Sequence, residues 1–320
     1  MNILFPSSFN IIEPNLNLDT IPLYAYKWTL NFTQMEKGSK VISLDATHTP
    51  HMQLGYAKYP YAIQVNGGFP TNCILLFYTK TDGYFSFHNK AIHKYEINLI
   101  DKDTSIDFLS TKKSEVFTIV IEEKLFYESF YNYFGQGLKS FLKTQFFQVK
   151  PNILNNFLNG IRNSIKNIQE IDEKKLIQEY KYIEKEILNH IFSSLDIVKS
   201  HKKIEKFEVS KIRDLLQKSL KEDINIRIIS KELNISERQL HHSFKTVYGF
   251  TPKQYLQNLR LNAIRNEFLL NYKSKISEVA IKYHFLHMGH FSSEFKKMFG
   301  KTPSEVLKEA KNQKEVFLTN

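Results

Sequence analysis

The sequence predicts an α+β protein: an N-terminal antiparallel β barrel followed by helices, and then an all-helical C-terminal domain. Three observations predict this. Short β-branched and aromatic runs fill roughly the first 120 residues, helical periodicity follows them, and one helical pattern occurs twice near the C-terminus. The patterns suggest two domains, 1–200 and 208–320, and each is long enough to bury a hydrophobic core of its own.

Six short runs in the N-terminal part are expected to form strands. They lie at 41–47, 61–65, 73–79, 84–88, 95–100 and 116–121. Turn-forming residues at 66–68 and 82–83 separate successive runs, which is typical of antiparallel neighbours. This spacing favours a small antiparallel barrel or sandwich.

Helical periodicity begins after residue 122, and Pro151 is expected to open a helix. A longer segment at 173–198 carries one apolar stripe, formed by Leu176, Tyr180, Ile183, Ile187, Ile191 and Leu195. The stripe fits a helix packed on the β domain and equally a helix that joins two chains in a homodimer. The charged segment 199–206 is predicted to be a linker.

Six residues of the C-terminal part recur 51 positions later. Phe244, Lys245, Gly249, Thr251, Pro252 and Leu256 reappear as Phe295, Lys296, Gly300, Thr302, Pro303 and Leu307. Each copy has the pattern of a short helix, a tight turn and a second helix with a polar outer face, which is a helix-turn-helix. Chance periodicity rarely repeats several such signals at one offset.

The repeated residues include stop and start signals for helices. Gly249 and Gly300 are expected to end the second helix of each unit in the left-handed conformation. Thr251 and Thr302 are expected to cap the next helix, with Pro at its first position and a Gln or Glu three residues later. In both copies a helix should therefore stop and restart at the same place.

The first unit carries further local signals. Asn225 is expected to cap its first helix and Asn234 to occupy the turn, where Asn tolerates a positive φ. Ser236 and Gln239 have the spacing of a capping box at the start of the second helix.

The second helix of each unit leaves basic or polar side chains facing outward: Arg238, His241, His242 and Lys245 in the first, and His290, Ser293, Lys296 and Lys297 in the second. Residues 208–320 contain 20 Lys and Arg against 12 Asp and Glu, so they carry a net +8 of the chain's +11. This charge favours a polyanionic partner, and two similar helices favour double-stranded DNA read in its major groove.

The segment between the two units, 251–271, is predicted to be one continuous helix. A helix of about 20 residues is about 30 Å long. That length is close to the ~34 Å of one turn of duplex, so the two second helices are expected to reach successive major grooves.

Residues 208–310 resemble the DNA-binding domain of the AraC/XylS family of bacterial transcription regulators. RLNAIRNEFL at 260–269 is similar to the family's linker-helix signature, and 276–307 is similar to the signature of the second unit. The resemblance implies base-facing residues at Arg238, His241, His242, Gly289, His290 and Ser293. One departure is His284, where the family usually has Gly before the Phe of the second turn.

The resemblance also implies a function for the whole chain. It implies a sequence-specific regulator, with activation as the expected output and RNA polymerase as a partner. It further implies that the N-terminal domain is a ligand-sensing, cupin-like barrel for a small-molecule effector. A regulator that acts mainly through protein partners, with weak DNA contact, is an alternative.

A cupin-type metal enzyme is the alternative from another class. It would use His48, His51, His88 and His93 of the N-terminal domain. A second, separate set in the helical domain, His284, His287 and His290, has spacings that suggest a zinc site. The paired His-x-His with a following Glu is absent, and the second set lacks a fourth ligand. With no nucleophile–base pair and no Gly-rich phosphate loop, we expect no catalytic residue, no cofactor and no metal.

The chain contains one cysteine, Cys73, which favours a reducing compartment. The N-terminus lacks the basic and apolar regions of a signal peptide. No stretch approaches the roughly 20 apolar residues that a spanning helix needs. The expected location is the cytoplasm, away from the membrane.

Overall fold

The computed structural model of the chain describes residues 4–6, 10–102, 104–135, 146–195, 207–232 and 236–319. The strands are β1 (Asn10–Leu16), β2 (Thr29–Gln34), β3 (Ile42–Thr49), β4 (Met52–Tyr59), β5 (Ile63–Gly68), β6 (Cys73–Thr81), β7 (Phe85–Phe87), β8 (Lys90–Ala91), β9 (Glu96–Ile100), β10 (Ile106–Ser110), β11 (Ser114–Glu122) and β12 (Phe146–Gln148). The helices are α1 (Ile21–Tyr24), α2 (Glu123–Phe134), α3 (Pro151–Glu170), α4 (Glu173–Leu195), α5 (Phe207–Lys218), α6 (Ile226–Glu232), α7 (Glu237–Tyr248), α8 (Pro252–Leu270), α9 (Ile276–Lys282), α10 (Met288–Phe299) and α11 (Pro303–Thr319).

The described strands form two antiparallel sheets. The seven-stranded sheet has the order β1-β3-β4-β11-β6-β9-β12, and the five-stranded sheet has the order β2-β5-β10-β7-β8. Apolar side chains of both sheets pack into one core, among them Val65, Leu75, Phe77, Ile106 and Val116. The prediction of an antiparallel β barrel followed by helices is confirmed as an antiparallel β domain followed by helices. The described strands form two sheets that share a core and do not close into one barrel.

Helices α2, α3 and α4 cover the outer face of the seven-stranded sheet. Their apolar residues join those of the sheet in one cluster, so that Ile161 and Ile191 are fully buried beside Leu76 and Ile119. The stripe on α4 is part of this cluster, and its Leu176 and Ile187 are at most 3% exposed. Packing within one chain therefore accounts for the stripe, and the stripe gives no support to the homodimer.

The C-terminal helices form the two predicted units. Helices α6 and α7 make the first, α9 and α10 make the second, and α8 is the continuous helix between them. Leu240 and Phe244 are fully buried in the first unit, as are Phe291 and Phe295 in the second. Burial of one face of each helix against its own unit leaves the opposite face of α7 and of α10 outward.

The helix ends follow the repeated signals. Gly249 and Gly300 both have a φ of 75°, which confirms the left-handed ends. His284 has a φ of 64°, so a histidine does occupy the strained turn position where the family usually has Gly. Its ring Nε2 lies 2.9 Å from the carbonyl oxygen of Lys221, a contact that holds the turn against the segment between α5 and α6.

The predicted capping boxes are present after both units. The Gln254 amide donates to the Thr251 hydroxyl at 3.2 Å, and the Thr251 amide donates to the Gln254 side chain at 3.0 Å. Thr302 and Glu305 make the same reciprocal pair at 3.3 and 2.6 Å. Asn225 caps α6 by accepting from an amide two residues on, at 2.9 Å.

Three predictions fall outside the described residues. They are the linker at 199–206, the turn residue Asn234 and the side chain of Gln239 in the first-unit capping box. Within the described ranges, no helix combines the length and the apolar character needed to cross a membrane.

Candidate nucleic-acid interface

Helix α7 has one buried face and one solvent face. Leu240, Phe244 and Tyr248 are all 0% exposed and fix the helix against its unit. Arg238, His242 and Lys245 are exposed, and His241 is half-buried. The four residues that the sequence places on the outer face are thus accessible to a partner to different degrees, with His241 the least accessible.

Helix α10 repeats this arrangement. Phe291, Phe295 and Met298 are 0% exposed, whereas the residues predicted to contact DNA are all exposed: Gly289, His290, Ser293, Lys296 and Lys297. A Cβ built at Gly289 would meet no atom within 4 Å, so the backbone faces open space there. A partner surface can therefore approach the start of α10 closely.

Lys297 differs from the other predicted residues in its surroundings. Its ammonium pairs with Glu294 at 3.0 Å, and Glu294 also pairs with Lys37 of the N-terminal domain at 2.7 Å. The hydrogen bond from Lys37 is the largest cause of the lowered pKa of Glu294. Because its charge is already paired at the edge of the β domain, Lys297 is less suited to a phosphate than Lys296.

The outward chemistry of α7 and α10 matches base edges and phosphates. Arg238 can form two parallel hydrogen bonds with guanine, and a His can donate to the N7 or O6 atom of guanine. Ser293 can donate or accept, while Lys245 and Lys296 provide positive charge for phosphate oxygens. The two faces therefore combine groups that select bases with groups that hold the backbone.

The five-stranded sheet packs its outer face against the C-terminal helices. Gln64 accepts a 2.6 Å hydrogen bond from the Tyr255 hydroxyl of α8, and Asp107 pairs with the buried Arg213 of α5. Apolar contacts accompany these bonds, because Leu109 of β10 belongs to the same buried cluster as Phe244 and Tyr255. Sequence reasoning missed this contact surface.

The end of β2 holds the helix between the units. Asn262 of α8 accepts from the Gln34 amide and donates to the Gln34 carbonyl, both at 2.9 Å. The Gln34 side chain donates to the Met298 carbonyl of α10 at 2.7 Å. One strand end thus contacts both the connecting helix and the second helix of the second unit.

The inner face of the same sheet borders a cavity of about 100 Å³. Phe32, Val65 and Phe108 lie opposite one another across β2, β5 and β10, and all three line the cavity. Because side chains alternate along a strand, the neighbouring Gln64 and Asp107 point to the C-terminal helices. This sheet therefore separates the cavity from the C-terminal helical domain by one layer of backbone.

The histidines of the metal alternative are not brought together. His48 is 3% exposed within the β domain, while Nδ1 of His51 lies 3.1 Å from the carboxylate of Glu184. Among the residues that the structure describes, no group of three or more His, Cys, Asp or Glu side chains is placed to hold a metal ion. The geometry does not favour the metal enzyme.

The family model for a helix-turn-helix domain matches residues 229–309, which span both units. The XylDLEGF operon transcriptional activator of Pseudomonas putida is 32% identical over 106 residues, or 32% of this chain and 33% of that protein. The helical domain of this chain is of the AraC/XylS type. The family resemblance stated from the sequence is thereby confirmed.

Other relatives of this AraC/XylS-type domain extend the comparison. The XylDLEGF operon transcriptional activator 3 of Pseudomonas putida is 24% identical over 227 residues, covering 68% of this chain and 66% of that one. A solved AraC-type regulator from Chromobacterium violaceum is 26% identical, with a TM-score of 0.30 over 32% of this chain and 91% of that chain. The chain spans only a third of the length of the first relative, and what it matches there is the AraC/XylS-type domain.

Proposed function

We propose that this protein is a sequence-specific transcriptional regulator that places α7 and α10 in successive major grooves of double-stranded DNA. The observation that carries the proposal is the repeated pair of helices, each fixed by a fully buried Phe and each presenting an exposed polar face. The base-facing residues are Arg238, His241, His242, Gly289, His290 and Ser293, with Lys245 and Lys296 as phosphate contacts and Lys297, already paired with Glu294, as a weaker one.

The proposal includes the sign of regulation and the partners. The two Pseudomonas putida relatives are named as transcriptional activators, which supports activation. Contact with RNA polymerase is proposed together with activation. A homodimer, a cytoplasmic location and the absence of enzyme activity belong to the same proposal. So do a cupin-like N-terminal domain and domain boundaries at 1–200 and 208–320.

The cavity supports control of this regulator by a small molecule. One wall of the cavity is the five-stranded sheet, whose other face contacts α5, α8 and the first unit. A ligand that binds more tightly to one arrangement of this sheet will shift the arrangement of the helices beyond it. We therefore place the effector of the N-terminal domain in this cavity.

Selection of duplexes from a randomised pool by the full-length chain tests the proposed function. We expect recovered sequences to share two conserved segments centred about 10 base pairs apart, since two helices would read two adjacent turns. Recovery of sequences with no common segment would contradict it.

The salt dependence of binding separates direct DNA recognition from action through protein partners. The logarithm of the association constant should fall linearly with the logarithm of salt concentration, because bound Lys and Arg release counterions from the phosphates. Weak binding that is the same for selected and scrambled duplexes at every salt concentration would favour the protein-partner alternative.

A further inference from the structure

We propose that the cavity between the two sheets takes a small, uncharged and mainly apolar molecule about the size of one aromatic ring, and excludes carboxylates and amines. This inference rests on the proposed control by a ligand and names the chemical class of that ligand. It is independent of which DNA sequence the protein reads.

The lining of the cavity carries no formal charge. It is made of aromatic and aliphatic side chains with a few uncharged polar ones, and no Lys, Arg, Asp or Glu lines it in the part of the chain that the structure describes. An isolated carboxylate or ammonium group taken out of water is strongly disfavoured unless an opposite charge meets it. A charged ligand would find no such partner in this lining.

The polar groups at one end of the cavity are engaged with one another. Trp28 donates from Nε1 to the Gln53 side chain at 2.8 Å, and Gln53 donates to the Tyr26 carbonyl at 3.0 Å. Each amide nitrogen carries two hydrogens, so Gln53 retains capacity for one further hydrogen bond. This end of the cavity suits a single hydroxyl or carbonyl group of a ligand.

Two buried titratable groups in the lining, His48 and Tyr59, are neutral near pH 7. Burial lowers the pKa of His48 to about 3, and its ring lies 5.6 Å from the ring of Phe5 and 5.9 Å from that of Tyr26. Burial also raises the pKa of Tyr59, so its phenol stays protonated. Neither group supplies the cation that a bound carboxylate would need.

The size of the cavity limits the ligand. Its volume is about 100 Å³. An apolar cavity of about 150 Å³ is known to admit benzene in another protein, so a ligand of about one aromatic ring is the upper limit here. Phe32, Phe77 and Phe108 in the lining provide ring faces and edges for an aromatic ligand.

The lining includes Trp28, which is the only tryptophan of the chain, so ligand binding can be followed directly. Trp28 and Tyr24 are half-buried where α1 meets β2, which marks the accessible side of the cavity. We would titrate the full-length chain with toluene, benzyl alcohol, benzoate and benzylammonium. Tryptophan emission and the melting temperature would be measured in each titration.

Toluene and benzyl alcohol should change the emission saturably and raise the melting temperature, while benzoate and benzylammonium leave both unchanged at equal concentration. Ala57→Leu, which fills the cavity, should abolish the effect of the neutral probes. Ala91→Leu on β8, outside the lining, is the matched control and should preserve it. If Ala57→Leu does not fold, Ala46→Val, which adds less volume to the lining, would be tested in its place.

Benzoate binding as tightly as toluene, or no binding by any probe, would overturn the inference. Binding of toluene that survives in the folded cavity-filling variant would also overturn it, because the probe would then sit elsewhere. Binding of selected DNA is measured on the same samples. A chain that binds DNA but no neutral probe would contradict this inference alone, whereas a chain that binds the probes but shows no sequence-specific DNA binding in their absence would contradict the proposed function.

Discussion

Arg238 lies in the first turn of α7, and its side chain is exposed beside the buried Leu240. Arg238→Ala should cost about 1–3 kcal/mol of affinity for the selected duplex and relax the choice of one base, because a bidentate contact to guanine is lost. Binding titrations on the selected duplex and its single-base variants measure both effects. Lys308→Ala, on the exposed side of α11, is the charge-matched control.

Loss of the same affinity on every duplex would make Arg238 a phosphate contact and contradict its role in base selection. An equal loss in Lys308→Ala would show that the effect is one of net charge.

His48 ties the stability of the β domain to pH. Its pKa is lowered by burial from 6.5 to about 3 in the folded chain, so the unfolded chain binds the proton first as the pH falls. Above pH 7, His48 has little effect on the free energy of unfolding. As the pH falls from about 6.5 to about 3, His48 lowers the free energy of unfolding progressively. Between pH 7 and pH 5 this should remove about 2 kcal/mol of stability.

Denaturant unfolding at pH 7 and pH 5 measures this loss, and His48→Gln provides the comparison. The variant should lose less stability over the same interval because Gln does not titrate. Equal losses in the two proteins would show that His48 is not the group responsible.

At the scale of the helix, the left-handed end of α10 also sets how closely the β domain approaches it. Gly300 has a φ of 75°, and a Cβ there would lie 2.7 Å from the Cβ of Ser39. Gly135, at the end of α2, has a φ of 70°, and a Cβ there would meet nothing within 4 Å. The two glycines therefore share their backbone conformation and differ in their surroundings.

Gly135→Ala should cost about 1 kcal/mol or slightly more, which is the strain of a left-handed non-glycine residue. Gly300→Ala should cost clearly more, since Ser39 must also move. Denaturant unfolding of the two variants checks the order. Equal costs would show that the contact between Ser39 and α10 contributes nothing.

The predicted helix ends and the missed contact surface differ in the distance between their partners along the chain. Thr251 and Gln254 are three residues apart, so the sequence itself displays their capping box. Gln34 and Asn262 are 228 residues apart, and neither belongs to a periodic pattern. Local backbone chemistry was therefore predictable, whereas this pairing depends on how the two domains pack.

The strands and the cavity also show which features could not be predicted from local sequence. Each of the six predicted runs overlaps a strand, but six of the twelve described strands were not predicted. One of these is β2, whose sequence TLNFTQ alternates polar residues with only two apolar ones. The cavity is lined by the same residue types that fill the adjacent core. A sequence gives the side chains but not the volume left between them.

At the scale of the whole molecule, ion pairs join the β domain to the C-terminal helices α5 and α8. The Arg213 side chain is 1% exposed and pairs with Asp107, while the Arg265–Asp19 pair is more accessible at 19% and 34%. Asp107→Ala should cost about 3–5 kcal/mol because it removes the nearer carboxylate of a buried cation, leaving only the half-exposed Asp214 at 3.6 Å. Asp19→Ala should cost about 1 kcal/mol or less, since water can replace the carboxylate.

Unfolding of the full-length variants in denaturant measures both costs, and Asp19→Ala serves as the control for an interdomain pair. A loss in Asp107→Ala no larger than in Asp19→Ala would contradict the view that the domains are held by a buried pair.

The central claim is that two helices of one chain read two adjacent major grooves. Methylation interference on a selected duplex, bound by the full-length chain, tests it most directly because modified guanine N7 atoms lie in the major groove. We predict two patches of interference centred about 10 base pairs apart on one face of the duplex. A single patch, or interference without a fixed position, would contradict it.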